Sequence, residues 1–392
     1  MAKTIVNIIT EDNPIPAYLF IKEMYMEGDR LMYISAKDDV DDLMKLSSLI
    51  GVPSDKIDEI VLKNEMDEIT YERIYQTVHK SLNKETSYWV NLAGGTRYMA
   101  LAVQEVFNNF NSTFFYVQVE KNLIVQSIFN DSVNDNDDLF YQIGHRMNIA
   151  EYLNIHYIDH DLETPVHQPI RSEKDVMLFF KKFVQLDKNQ NLNSRDFKVI
   201  ELLRQNYRGR KEVKLNEISF NVPNLHAFFN KIAFKPEVDG LLNKQELDYL
   251  TGGWFEEYIY YLVEEIVKPQ DIALNVTISR VGAEHTNELD VVFSKGNKLF
   301  VIECKTGVEK KGFNEIVYKA CAIREALLGV SCHSYIFSLN EDTTHYLHRV
   351  ANNMGITYVN RDYLTNPNEL TLPFMQISLL ANNEPLMKGK LI

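Results

Sequence analysis

The stretch Asn287-Glu288-Leu289-Asp290-Val291-Val292-Phe293-Ser294-Lys295-Gly296-Asn297-Lys298-Leu299-Phe300-Val301-Ile302-Glu303-Cys304-Lys305 reads as two strands around a tight turn. Gly296-Asn297 suits a two-residue hairpin loop, because both residues tolerate positive φ. With that turn at the centre, Asp290 lies opposite Glu303 and Glu288 opposite Lys305. Alternation gathers these four side chains on one face and leaves Val291, Phe293, Phe300, Ile302 and Cys304 on the other. A one-residue slip would expose the apolar set and bury charge, so the pattern pins the register.

Two adjacent carboxylates on a half-buried sheet repel each other and lose hydration unless a cation joins them. Magnesium or manganese, which prefer oxygen ligands, would remove that penalty. Such an ion polarises a phosphodiester and acidifies a water molecule. Lys305, two residues past Glu303, is placed to orient water and stabilise developing negative charge. The plainer alternative is an exposed strand face with cross-strand ion pairs. That is common for one E-x-K and less comfortable for an Asp plus E-x-K on strands this apolar. Cys304 points to the opposite face and reads as a small buried hydrophobe.

Outward from the hairpin, strands are expected at Ala273–Ser279 and Ser334–Ser338, and helices near Leu250–Val267 and Asn314–Leu328. Asp290 with Glu303-Cys304-Lys305 resembles the PD-(D/E)XK restriction-endonuclease-like nuclease core, with Leu289 where that family often has Pro. The resemblance implies an acidic residue on the preceding helix, which opens at Gly252-Gly253-Trp254-Phe255-Glu256-Glu257. Periodicity does not choose between Glu256 and Glu257. The likeness to a G-x-W-hydrophobic-E pattern in related nucleases favours Glu256. The resemblance thus implies Glu256, Asp290 and Glu303 as ligands of Mg²⁺ or Mn²⁺, and Lys305 as the fourth catalytic residue. Lys319 and Arg324 lie on the following helix, and a plain amphipathic helix accounts for both.

The first zone alternates strand-like runs (Thr4–Ile9, Leu31–Ser35, Ile57–Leu62, Tyr88–Leu92, Thr113–Val119) with helical patterns (Pro14–Glu27, Asp38–Leu49, Asp67–Asn83, Thr96–Asn108). Such alternation argues for a parallel, doubly wound sheet. Its ligands bind at the carboxyl ends of strands. There lie Asn91-Leu92-Ala93-Gly94-Gly95-Thr96-Arg97-Tyr98-Met99, Thr10-Glu11-Asp12-Asn13-Pro14, and Ser35 with Lys37. Two glycines allow close backbone approach, and the free N–H groups of a helix start favour an anion. Thr96 suits an N-cap, and Arg97 can pair with phosphate. No Gly-Lys-Ser/Thr follows, so this is not a P-loop. Alone, such a turn usually only caps a helix. Together the three loops resemble a CARF domain, the Rossmann-like sensor of cyclic oligoadenylates, whose N-x-[ST]-G-G-T-[KR]-x-M signature is met except for Ala93. The resemblance implies Thr10, Glu11, Asn13, Ser35, Lys37, Asn91, Gly94, Gly95, Thr96 and Arg97 as ligand contacts.

With both patterns on one chain in this order, the whole resembles the CRISPR ancillary nucleases of type III systems. The expected fold class is α/β: a Rossmann-like CARF domain at 1–150, a helical connector at 151–240 for which a winged-helix-like module is one reading, and an α/β restriction-endonuclease-like domain at 241–392. The resemblance implies a homodimer that binds cyclic tetra-adenylate across its two-fold. It also implies cleavage of single-stranded RNA and DNA, with nicking of supercoiled DNA in some members. A non-catalytic, ligand-controlled regulator is one alternative, and the acidic hairpin argues against it. An unregulated restriction or repair nuclease is another, and it leaves the glycine loop unexplained.

The 392 residues suit two or three domains, and the 45% hydrophobic and 24% charged content is globular. The formal net charge of −14 argues against loose nucleic-acid binding. It is uneven: residues 1–150 carry 13 basic and 23 acidic side chains, 151–240 carry 14 and 13, and 241–392 carry 14 and 19. Residues 195–214 hold Arg195, Lys198, Arg204, Arg208, Arg210, Lys211 and Lys214 against three acidic side chains. We expect a solvated helix and turn there rather than a nucleic-acid surface. The three cysteines are odd in number and show no C-x-x-C spacing, which argues against a disulfide framework or zinc knuckle. No signal-peptide pattern or apolar run of about 20 residues is seen, so a cytoplasmic protein without membrane contact is expected. His156, His160 and His167 with Asp159 and Asp161 lack metal-site spacing and read as a polar linker. His285 reads as a loop histidine, the Asp38–Asp42 cluster as a helix first turn, and Asn130–Asp138 as a loop.

Overall fold

The structure is a computed structural model. It describes residues 2–9, 14–35, 46, 48–62, 70–127, 140–164, 167–186, 191–280, 286–307, 310–324, 332–342 and 345–382. The first zone forms a seven-stranded sheet: β1 (Thr4–Ile9), β2 (Arg30–Ser35), β3 (Ile57–Val61), β4 (Tyr88–Asn91), β5 (Ser112–Gln118), β6 (Leu123–Ser127) and β7 (Phe140–Gln142). Their order is β3-β2-β1-β4-β5-β6-β7. β1 to β5 run parallel, and β6 and β7 turn back antiparallel. β1 is apolar at four of six positions and wholly buried, as a central strand covered on both faces must be. The chain walks from β1 out to β3 and then jumps to β4 on the other side of β1. That switch point opens a crevice at the carboxyl ends of β1 and β4.

The expected hairpin is present as β12 (Asn287–Lys295) and β13 (Lys298–Lys305), and it keeps the expected register from Val291↔Ile302 to Lys295↔Lys298. Both turn residues take positive φ, 61° at Gly296 and 60° at Asn297. With β8 (Ile158–His160), β11 (Asp271–Arg280), β14 (Cys332–Ser338) and β15 (Thr357–Val359) it makes a six-stranded sheet, ordered β15-β14-β13-β12-β11-β8. One face carries the helix Trp254–Leu262 and the other packs against the first zone.

Within the segment expected as a polar linker, residues 158–161 and His167 are instead laced along the free edge of β11. Ile158–His160 pairs with Ile278–Arg280. Asp161 Oδ1 accepts from the Thr277 N–H at 2.8 Å, and the Leu274 N–H donates to the His167 carbonyl at 3.0 Å. The backbone donors of an edge strand need partners, and these residues supply them.

The middle zone contains the helices Glu173–Phe183, Ser194–Tyr207, Leu215–Asn221 and Leu225–Lys231. A two-stranded ribbon of β9 (Glu212–Lys214) and β10 (Leu241–Asn243) completes it. Its apolar side chains, among them Phe179, Leu203 and Phe228, share one core with Trp254, Phe255, Phe293 and Phe300. A second core joins Ile5, Phe20 and Tyr152 to Val276, Leu289 and Val301. No helix among the described residues is long and apolar enough to cross a membrane.

Candidate active site and sensor crevice

At the open end of the hairpin Asp290 is 9% exposed. Its Oδ2 accepts from the Cys304 N–H at 2.7 Å and from Lys305 Nζ at 3.3 Å. Lys305 Nζ also lies 2.6 Å from Glu303 Oε1, so one ammonium holds two carboxylates. Burial and then the Glu303 charge push the Asp290 carboxyl up to about 7, against the pull of Lys305 and the Cys304 N–H. Asp290 and Glu303 overcome the burial penalty on Lys305 and raise its pKa.

Strict alternation fails at this point. Leu274 and Val291 face the core beneath Trp254, whereas Val276 and Leu289, two residues along, face the core shared with the first zone. The pairing of β11 with β12 skips Asn275, which has a left-handed φ of 51°, and Asp290 opposite it. This is where Asp290 turns its carboxylate onto the Cys304 N–H. The four charges therefore do not share one simple face: Glu288 is exposed while Asp290 is buried.

The acidic pair on the helix separates cleanly. Glu256 faces the hairpin: burial first and Asp290 second push its carboxyl well above the usual range, and Asn275 hydrogen-bonds it. Glu257 faces away and accepts from the Ile170 and Arg171 N–H groups at 3.0 and 3.2 Å. Burial, opposed by those two donors, lifts Glu257 to about 7. The sequence did not flag Asn275. An asparagine, tolerant of left-handed φ, inside an apolar strand was the available signal. Arg204, in the sequence one charge among a basic run expected on a solvated helix, instead donates through both Nε and Nη2 to the Thr251 carbonyl, at 3.1 and 2.6 Å. Arg324 lies elsewhere, donating to the Gly355 carbonyl at 2.6 Å near the start of β14, and Lys319 is solvent-exposed.

The donor set suits a hard divalent cation. Three carboxylates face one lysine, and two of the three are driven toward protonation by burial and mutual repulsion. Among the described residues, no three His, Cys, Asp or Glu side chains already stand as a metal cage. Lys305 is the cation at the site. His156, His160 and His167 form no such group either; His167 bonds the Leu274 carbonyl through Nδ1 at 2.8 Å.

In the crevice at the carboxyl ends of β1 and β4, Asn91 is fully buried and shapes the loop. Its Nδ2 donates to Asn7 Oδ1 at 3.0 Å, and its Oδ1 accepts from the Ala93 N–H at 3.0 Å. Gly94 has no room for a side chain, since a Cβ would sit 1.8 Å from the Ile8 carbonyl oxygen. Gly95 has φ +71°. Thr96 caps the helix Arg97–Phe107 by accepting from the Met99 N–H at 3.2 Å, and Arg97 is exposed beside it. The Ser35 hydroxyl is buried and donates to Glu59 Oε1 at 3.1 Å. Thr10, Glu11, Asn13 and Lys37, with Asp38–Asp42, Asn130–Asp138 and His285, lie outside the described residues.

Residues 4–152 match the model of the Card1 CARF domain, and residues 243–372 match that of the Card1-like endonuclease domain. No curated protein sequence matches the chain. Among solved structures, protein VC1899 from Vibrio cholerae superposes with a TM-score of 0.72 at 19% identity, covering 95% of this chain and 98% of that one. Can2 from Sulfobacillus thermosulfidooxidans, solved with cyclic tetra-adenylate, superposes at 0.67 with 19% identity, covering 95% and 98%. A type III CRISPR defence DNA nuclease activated by cyclic oligoadenylate superposes at 0.50 with 12% identity, covering 98% of this chain and 52% of that one.

Proposed function

Because the chain belongs to the Card1-like family, in which a CARF domain is joined to an endonuclease domain, we propose that it is a metal-dependent nuclease switched on by a cyclic oligoadenylate. The observation that carries this reading is the cluster of Glu256, Asp290, Glu303 and Lys305 at the open end of β12 and β13. It stands on the same chain as a glycine loop at the switch point of a parallel sheet.

Glu256, Asp290 and Glu303 would hold Mg²⁺ or Mn²⁺, which polarises the phosphodiester and acidifies water when bound. Hydrolysis adds water oxygen to phosphorus and breaks the bond to the leaving oxygen. Lys305, whose ammonium is kept charged by its two neighbours, stabilises the negative charge that builds on the phosphoryl oxygens. Asp290 is held in position by the Cys304 N–H.

On the sensor side, cyclic tetra-adenylate is the activator we favour. Gly94 and Gly95 let the loop approach it, the N–H groups of the Arg97–Phe107 helix face its phosphates, and Arg97 pairs with one of them. Asn91 acts by shaping this loop, and Ser35, Lys37, Thr10, Glu11 and Asn13 complete the site. Tyr98 and Leu101, 46% and 61% exposed on that helix, suit burial against a second copy. A two-fold ligand across a two-fold dimer would present the same loops twice. The sensor at 1–150, connector at 151–240 and nuclease at 241–392 then act in type III CRISPR defence.

The test mixes purified full-length chain, Mn²⁺ and cyclic tetra-adenylate with labelled single-stranded RNA, single-stranded DNA and supercoiled plasmid. Cleavage that requires both metal and ligand, and that Glu303→Ala abolishes, is expected. Undiminished cleavage by Glu303→Ala, or none by the wild type, would overturn the reading.

A further inference from the structure

The helix Ser194–Tyr207 lies outside the part of the chain that matches the endonuclease model, yet it reaches the catalytic cluster. Arg204 fixes the Thr251 carbonyl, five residues before Glu256. Its Nη2 also lies 3.5 Å from Thr306 Oγ1, and Thr306 directly follows Lys305. Arg204 therefore sits where the Glu256 helix and the end of β13 meet.

Arg208 follows four residues later, on the same side of the helix. It is exposed and, among the described residues, has no acidic partner. Burial, and then the charge of Arg208, lower the pKa of Arg204, which puts the two guanidinium groups within electrostatic reach of each other. Next in line, Arg210 lies over the Tyr207 ring at 5.2 Å and pairs with Glu217. Lys211 is exposed beside it.

Tyr207 leads to one more feature. Its hydroxyl oxygen accepts from Asn221 Nδ2 at 2.9 Å, and the residue before Asn221 is Phe220, which is 90% exposed. A phenylalanine gains nothing from standing in water, and no core claims this one. An exposed aromatic ring on one element and exposed basic groups on the helix that element packs against make a combination that binds single-stranded nucleic acid, the rings stacking on bases and the cations following phosphates. A partner protein would also accept a ring and two arginines. Tyr207 stands one helical turn from Arg204, which borders the acidic cluster through Thr251 and Thr306, however, and that favours nucleic acid.

We propose that Arg204, Arg208, Lys211 and Phe220 form a track that leads single-stranded nucleic acid into the catalytic cluster, so that the connector supplies the substrate-binding rim of the nuclease. The proposal rests on the nuclease reading and adds the residues that receive substrate. It also explains how a chain of net charge −14 meets a polyanion. The attraction is local, from a zone whose charges nearly balance, while the acidic remainder repels elsewhere.

The experiment uses full-length protein with cyclic tetra-adenylate and Mn²⁺. Anisotropy of fluorescein-labelled oligo-U and oligo-dT reads binding, and cleavage of the same oligonucleotides reads turnover. Phe220→Ala is expected to weaken single-strand binding roughly 5- to 150-fold, the range of one base–aromatic stack, and to leave duplex binding unchanged. Arg208→Gln is expected to raise KM several-fold, keep kcat, and lower the salt slope of binding by roughly 0.7. Lys198→Gln, on another face of the same helix, serves as the charge control and is expected to match wild type. Wild-type binding and cleavage by both variants would overturn the track, as would equal losses in Lys198→Gln or no oligonucleotide binding by wild type. Binding that is sensitive to Phe220 and Arg208 without any cleavage would leave the track standing and overturn the nuclease reading alone.

Discussion

Glu256 and Glu257 are adjacent on one helix and spend their carboxylates differently. Glu256 is held against Asp290 at a cost, whereas Glu257 satisfies two backbone donors. Glu257→Ala would strand the Ile170 and Arg171 N–H groups and should cost about 2–4 kcal/mol, read as a lower urea midpoint. Glu256→Gln should abolish cleavage while leaving that midpoint unchanged or higher, because it removes a repelling charge. Equal destabilisation by both would contradict this assignment. Asp290, pushed up to about 7, is substantially protonated below neutrality, and a metal ion must displace that proton. Because Glu256 is raised as well, Mn²⁺ affinity should fall at least about tenfold per unit as pH drops below 7, with proton release on binding, as calorimetry at pH 6, 7 and 8 would read. At Gly94 the added methyl of an alanine would meet the Ile8 carbonyl. Gly94→Ala should weaken cyclic tetra-adenylate binding more than tenfold by calorimetry, since the loop must move off β1 to make room.

The hairpin was legible because turn chemistry, alternation and burial agree on one register. Its open end was less legible, because strand alternation assumes regular φ/ψ and Asn275 breaks it. The turn end held a contact that no local pattern announces. Asn297 is fully buried, accepts from the Met147 N–H at 2.9 Å, and donates to Asn122 Oδ1 and the His145 carbonyl at 2.9 and 3.1 Å. The element that carries Asp290 and Glu303 is thus anchored by its turn in the sensor zone. Asn297→Ala would leave those groups unsatisfied and free the anchor. Ligand affinity should persist while the ratio of ligand-stimulated to basal cleavage drops, measured by titrating cyclic tetra-adenylate. An unchanged ratio would show that the anchor carries no signal.

Across the whole molecule, the two patterned ends were readable and the middle was not. The first zone announces itself by strand–helix alternation, and Gly94-Gly95 marks its crevice. Residues 195–214 read as a solvated helix because their apolar positions fit any core. Only the fold reveals that Leu203 packs with Trp254 and that Arg204 reaches Thr251. The six-stranded sheet borrows one core from the connector and the other from the sensor zone. The chain should therefore unfold in one calorimetric transition, and residues 243–392 alone should not fold. Two separated transitions would show that the zones are independent.

The lacing of residues 158–161 and His167 along β11 has a further consequence, for survival in a cell. One proteolytic nick between Asp161 and His167 would unzip that border and bare a ten-residue strand able to recruit the same strand from another nicked molecule. A single cut at that seam should therefore convert the protein into aggregate rather than into two working halves.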